Sequence, residues 1–294
     1  MFKKNAMLPL DVNPAECLQQ IVSAKITIFD TTLRDGELAL KRKLTVEQKI
    51  RLAIILDEMG VDAIEVGYPG AFHKDCDEIF RVSQQVKNST ICGLASSQPD
   101  EITAVAVALK VAVRGRINVF TPIGIQANMA ASEVLETIRS SVSLARNYCP
   151  DVEWSAFDAT RSHPDLLCKA VETAIKSGAT TISIPDSLGV ASPIEFSHLI
   201  ETVMHQVPNM DSCTLAVHCH DDLGFAVDNS LAALDVGARQ IECSINGLGV
   251  RAGNADLAKV VEAIAHHPTY YSAIDFSWLN QASEMVSQFT AVSK

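Results

Sequence analysis

The sequence predicts a TIM (β/α)8 barrel, and three observations carry that expectation. Strand-like apolar runs and helical patterns alternate eight times along the 294 residues. One helix-stop, strand-start pattern recurs at Gly60-Val61-Asp62-Ala63-Ile64-Glu65, Gly178-Ala179-Thr180-Thr181-Ile182-Ser183 and Gly237-Ala238-Arg239-Gln240-Ile241-Glu242. No Gly-x-Gly-x-x-Gly follows the first strand, as an open dinucleotide-binding sheet would have, and eight strands suit closure better.

In chain order, residues 1–24 read as an N-terminal extension with one short helix over Pro14 to Ile21 and no recognisable chemistry. Residues 25–266 form the barrel. Its first strand is Ile26 to Phe29, followed by an amphipathic helix from Leu44 to Met59 with Thr45 as N-cap and Gly60 as its stop. Strands follow near Ala63–Val66, Thr90–Leu94, Ile117–Thr121, Val152–Phe157, Thr181–Pro185, Thr214–His220 and Ile241–Ile245. Helices alternate with them near 74–87, 100–110, 132–147, 165–177, 193–206, 225–236 and 254–265. The tail, 267–294, carries one more helical stretch, Phe276 to Phe289, which packs on the barrel or on a partner subunit; a homodimer is expected on that ground.

Composition narrows the function classes. With 48% hydrophobic residues the chain can fill a barrel-sized core. A net charge of -11 and a pI near 5.2 argue against nucleic acid or an anionic membrane as partner. The N-terminus lacks a signal-peptide core, so a cytoplasmic protein is expected. Eight cysteines without a Cys-x-x-Cys pair read as reduced thiols rather than a disulfide or zinc-ribbon framework.

The chemistry of a TIM barrel sits at the C-terminal ends of its strands, so the polar residues there can be compared. Strand 7 runs through His218-Cys219-His220, and alternation places both imidazoles on one face, about 7 Å apart along the strand, with Cys219 turned away. Strand 1 ends in Asp30-Thr31-Thr32-Leu33-Arg34-Asp35, and the last strand runs into a Gly-rich turn ending at Asn254. Strands 7, 8 and 1 are neighbours, so Asp35, His218, His220 and Asn254 can converge. Two imidazoles, a carboxylate and an amide oxygen suit Mn²⁺, Mg²⁺, Zn²⁺ or Co²⁺ in a site left open to substrate. A 2-oxo acid would fill the open positions, and Arg34 would face the charge developing on its ketone oxygen.

The stretches Phe29-Asp30-Thr31-Thr32-Leu33-Arg34-Asp35-Gly36-Glu37, His218-Cys219-His220-Asp221-Asp222-Leu223-Gly224, and Asn246-Gly247-Leu248-Gly249 with Arg251-Ala252-Gly253-Asn254 resemble the DRE-TIM metallolyase superfamily. Within it the chain is most similar to 2-isopropylmalate synthase and its homocitrate- and citramalate-synthase relatives, over roughly residues 25–266. The resemblance implies a Claisen-type condensation in which acetyl-CoA attacks a 2-oxo acid and the thioester is hydrolysed. It places the metal ligands on Asp35, His218, His220 and Asn254, and the family's arginine on Arg34.

Departures accompany the matches. Leu38 replaces a glutamine, Val250 a glutamate, and Phe157 a glutamate of the strand-5 motif that contacts substrate. An aromatic there can neither move a proton nor hold a polar group. The loop Thr121-Pro122-Ile123-Gly124-Ile125-Gln126 carries no histidine. The chain stops soon after the barrel, where such synthases continue into a subdomain that completes the partner's site. Three readings follow: an acetyl-CoA-dependent synthase with an unusually apolar pocket, a CoA-independent aldolase or lyase, and a paralogue that binds metal without turnover.

Several residues carry two readings. His163 at the mouth of strand 5 is a candidate base, or a solvent-facing loop residue. Glu65 is a catalytic candidate that could equally brace Arg34. Asp186 and Ser187 are candidate carboxylate contacts, or a turn with Asp186 capping the next helix. Thr121 and Arg161, at the ends of strands 4 and 5, complete the candidate substrate contacts.

Overall fold

The computed structural model describes residues 23–124 and 129–292. The expected Pro14–Ile21 helix and Ile125 to Gln126 of the strand-4 loop lie outside the described residues. Eight parallel strands close into a barrel in sequence order: β1 Thr27–Asp30, β2 Ala63–Gly67, β3 Thr90–Ser96, β4 Gly115–Pro122, β5 Val152–Phe157, β6 Thr181–Asp186, β7 Thr214–Cys219 and β8 Gln240–Cys243. Closure is made by β1 against β8, from Thr27↔Gln240 to Asp30↔Cys243.

Helices α1 Val46–Glu58, α2 Lys74–Ser83, α3 Pro99–Ala108, α4 Ala131–Tyr148, α5 Pro164–Lys176, α6 Pro193–Gln206, α7 Ala226–Asp235 and α8 Leu257–Ala265 surround the barrel. Local sequence sets their starts. Thr45 Oγ1 accepts from the Gln48 amide while Gln48 Oε1 accepts from the Thr45 amide, and Ser192 and Glu195 repeat the arrangement before α6. The echoed glycines Gly60, Gly178 and Gly237 stand just past α1, α5 and α7 at φ +86°, +110° and +121°. There the chain turns into the next strand in a conformation that a Cβ disfavours.

Two distinct interiors result. The main apolar core lies between sheet and helices, built from strand residues such as Ile28, Val66, Trp154 and Val217 against Leu52, Ile79 and Phe196. Phe29, Ala63 and Cys92 form a separate small cluster on the opposite face of the sheet, inside the barrel. Between that cluster and the barrel mouth lie polar side chains, among them Glu65, Asn118, Glu153 and Glu242, which form the floor of the site described below.

Several boundaries depart from expectation; the tail helix, for one, runs Leu279–Val292 and not Phe276 to Phe289. α8 starts at Leu257, three residues later than expected, because Asp256 caps it by accepting from the Ala258 amide. Asn254 is thereby freed to pair with His220 in an antiparallel bridge beyond the end of β7. After β1 the chain enters a π-helical turn, Thr32–Gly36, in which the Gly36 amide donates to Thr31 O at 3.0 Å. Ala24–Lys25 pair in parallel with Tyr270–Tyr271 beside the barrel. The tail helix α9, Leu279–Val292, packs on its own barrel: Ala282 and Val286 are buried, and the Asn246 amide bonds Ser283 O and Ser287 Oγ.

Candidate active site

The π-turn after β1 places Arg34 and Asp35 side by side at the barrel mouth. Asp30 anchors the turn by accepting from the Thr32 amide and hydroxyl, and Thr32 Oγ1 in turn accepts from the Ile245 amide beyond β8. Gly36 lets the turn lie against Leu248, whose carbonyl would stand 3.2 Å from an added Cβ. Arg34 Nε donates to Glu65 Oε2 at 2.6 Å and Nη1 to Asp35 Oδ1 at 2.8 Å. Glu65 thus braces Arg34 from beneath, and its other oxygen accepts from Asn118.

Carboxylate and imidazole donor atoms of Asp35, His218 and His220 all lie within 4.8 Å of one another, and all three residues are buried. His218 Nδ1 meets Glu242 Oε2 at 2.9 Å, and His220 Nδ1 meets Gly253 O at 3.3 Å, leaving each Nε2 as the nitrogen to bind a ligand. Asn254 Nδ2 donates to Asp35 Oδ2 at 2.8 Å, while its buried Oδ1 has no hydrogen-bond partner. An orphaned amide oxygen costs about 1–3 kcal/mol unless something binds it. Beside two imidazole nitrogens and a carboxylate, it completes a donor set that fits a divalent cation.

Electrostatics keep these groups in the state that binds a cation. Burial opposes the charge of Asp35, but Arg34, His218, His220 and the Asn254 amide outweigh it and hold its pKa near 2. Burial, and then the neighbouring His218, push His220 down to about 4. His218 is lowered too, first by burial.

Above these residues opens a cavity of ≈ 300 Å³. Its polar side includes Arg34, Ser155, Ser187 and Arg251; its apolar side includes Leu38, Tyr68, Phe120, Phe157, Leu188 and Val250. The three substituted positions noted in the sequence, Leu38, Phe157 and Val250, therefore stand on one cavity.

The other sequence candidates are placed differently. Glu65 lies one layer below the cavity. Ser187 lines it, with Oγ accepting from the Asp158 amide. Asp186 is fully buried and braces a turn, accepting from Thr160 Oγ1 and the Val190 and Ala191 amides; Ser192, not Asp186, caps α6. Thr121 Oγ1 accepts from Trp154 Nε1 and meets Ser97, away from the cavity. Arg161 is locked in a two-point contact with Asp158, and the exposed His163 caps α5 by accepting from the Asp165 amide. Neither reaches the cavity lining, so the placement of His163 as base loses its geometric support.

Sequence reasoning missed the floor. Glu242 on β8 joins His218 to Ser183, and Glu153 on β5 accepts from Arg116 and Gln240. The available signal was an acid inside the otherwise buried strand Gln240-Ile241-Glu242-Cys243. A second acidic group, Glu37, Asp75 and Glu78, is braced by the fully buried Lys49, which pairs with Glu37 and Glu78, and by Lys74, which pairs with all three.

A family-wide sequence pattern, HMGL-like, matches residues 25–286. A 2-isopropylmalate synthase of Rhodopseudomonas palustris (strain BisB5) is 47% identical over 275 residues, covering 91% of this chain and 52% of that protein. Another, from Nitrobacter hamburgensis, is 46% identical over 91% of this chain and 53% of its own length. The chain thus spans about half the length of these curated relatives. Among solved structures, an HMG-CoA lyase from Brucella melitensis superposes with TM-score 0.77 at 22% identity, covering 92% of this chain and 100% of that one. The hydroxymethylglutaryl-CoA lyase of Pseudomonas aeruginosa gives 0.78 at 22% identity, over 93% and 95%.

Proposed function

This chain belongs to the HMGL-like family, and from that premise we propose that it catalyses a divalent-metal-dependent condensation of acetyl-CoA with a 2-oxo acid. In the overall reaction the acetyl methyl group loses a proton and bonds to the keto carbon. The keto oxygen gains a proton, and water cleaves the thioester, yielding a 2-alkylmalate and free CoA thiol. The observation that carries the reading is the unpartnered Asn254 Oδ1 beside the converging donor atoms of Asp35, His218 and His220. Those four residues would hold the metal, which supplies Lewis-acid polarisation of the ketone when bound.

The chain's own groups do the rest. Arg34 keeps its charge at the keto oxygen because Glu65 and Asp35 fix it on two sides. Ser187 stands on the cavity wall to receive the substrate carboxylate. Apolar walls exclude water while the carbon–carbon bond forms. We also propose that the protein acts in the cytoplasm, as a homodimer, on small molecules and not on nucleic acid or membrane; among the described residues no helix is long and apolar enough to cross a membrane.

The test is release of free CoA thiol from acetyl-CoA with Mn²⁺ or Mg²⁺ across pyruvate, 2-oxoisovalerate, 2-oxoglutarate and phenylpyruvate. Release that needs both metal and one oxo acid supports the proposal. Its absence from a metal-loaded protein overturns the condensation and directs assays to CoA-free cleavage.

A further inference from the structure

The cavity carries more information than its metal-facing side. Tyr68 at the end of β2, Phe120 on β4 and Phe157 at the end of β5 line one continuous wall. The Tyr68 and Phe120 rings meet edge-to-face with centroids 5.7 Å apart at 81°, and Phe120 and Phe157 lie 6.1 Å apart at 58°. Such a row offers an incoming ring the offset and edge contacts that aromatic pairs prefer. The imidazoles of His218 and His220 line the same cavity, so a ligand held there shares it with the row.

Charge argues for the same occupant. Among the described residues lining this cavity the only guanidinium groups are Arg34 and Arg251, and both are engaged. Arg34 is held by Asp35 and Glu65, and Arg251 grips both oxygens of Asp222 while also donating to Ser187 O. A second carboxylate on the substrate would be desolvated there with no cation left to meet it.

We propose that the Tyr68–Phe120–Phe157 row is a side-chain specificity wall, and that the 2-oxo acid this site takes bears an aromatic side chain and no second carboxylate. The proposal rests on the 2-oxo acid reading above and deepens it. Phe157 is the specificity-determining residue, because it ends the row on the cavity wall, packed against the Phe120 ring.

Binding separates this inference from turnover. Phenylpyruvate, 2-oxoisovalerate, pyruvate and 2-oxoglutarate are titrated calorimetrically into the Mn²⁺-loaded chain without acetyl-CoA. Phenylpyruvate is expected to bind about threefold to tenfold more tightly than 2-oxoisovalerate, and 2-oxoglutarate most weakly. Phe157→Leu keeps apolar bulk and removes the ring; with Phe157→Ala beside it, each is expected to retain one metal and lose the aromatic preference. Equal or tighter binding of 2-oxoisovalerate or 2-oxoglutarate overturns the inference, as does an unchanged ranking in metal-loaded Phe157→Leu. If no acid binds the metal-loaded protein, the parent reading falls and takes this one with it. Binding in the stated order without thiol release removes the condensation alone.

Discussion

His218 Nδ1 lies 2.9 Å from Glu242 Oε2, and this contact fixes which nitrogen of the ring faces the cavity. Ser183 holds the other oxygen of the same carboxylate, so the imidazole is oriented from below by a group that is itself immobilised. Glu242→Ala should therefore weaken metal affinity by about 10- to 100-fold while leaving all four ligands in place. Competition titration against a chelator measures it, and an unchanged affinity would remove the orienting role.

Removal of a ligand acts more sharply. His218→Ala should abolish stoichiometric Mn²⁺ binding, read by metal analysis after gel filtration, with the helical circular dichroism spectrum retained. One equivalent of tightly held metal in that variant would remove the basis of the assigned site.

Lys49 is wholly buried, and its ammonium contacts Glu37 at 3.0 Å, Glu78 at 2.7 Å and Val66 O at 2.9 Å. Lys49→Ala strands these carboxylates with only the half-exposed Lys74 and should destabilise the fold by about 3–5 kcal/mol. Urea unfolding of wild type and variant checks this; a loss below about 1 kcal/mol would mean that water or Lys74 replaces the missing charge.

Glu153 gives a pH signature. Burial, and then the charge of Glu242, raise its pKa to about 8 against the pull of Arg116. The folded chain keeps this proton where the unfolded chain, with a value near 4.5, has released it. Its stabilising contribution is thus full below about pH 4.5 and is lost as pH rises through about 8. Glu153→Gln stays neutral and can still accept from Arg116, so its melting temperature should fall less than that of wild type from about pH 5 to about pH 9. Parallel melting curves across that range would contradict the shift.

The barrel was legible in the sequence because each unit carries its own punctuation. Thr45 and Gln48 announce α1, and Gly60, Gly178 and Gly237 announce the following strands. The convergence of Asp35, His218 and His220 was legible because strand alternation and barrel order act on short stretches, His218 with His220 and Asp35 next to Arg34. What stayed hidden depends on distant partners. Nothing local shows that Glu242 reaches His218 or that Thr121 turns toward Trp154, whereas the capture of Arg161 by Asp158, three residues before it, is a local contact. His163 is the instructive case: its place in the loop after strand 5 suggested a base, yet the orphan amide of Asp165 at the start of α5 takes its Nδ1.

The polar interior connects the two ends of the barrel. Arg116 holds Glu153 on one side and, on the other, Asp151, whose side chain is 32% exposed at the end away from the cavity. A change at Asp151 leaves the guanidinium wholly to Glu153, which favours the ionised form of Glu153 and so sets a charge beside Glu242, the carboxylate that orients His218. A solvent-facing position that lines no part of the cavity thus bears on the charge state of the floor beneath it.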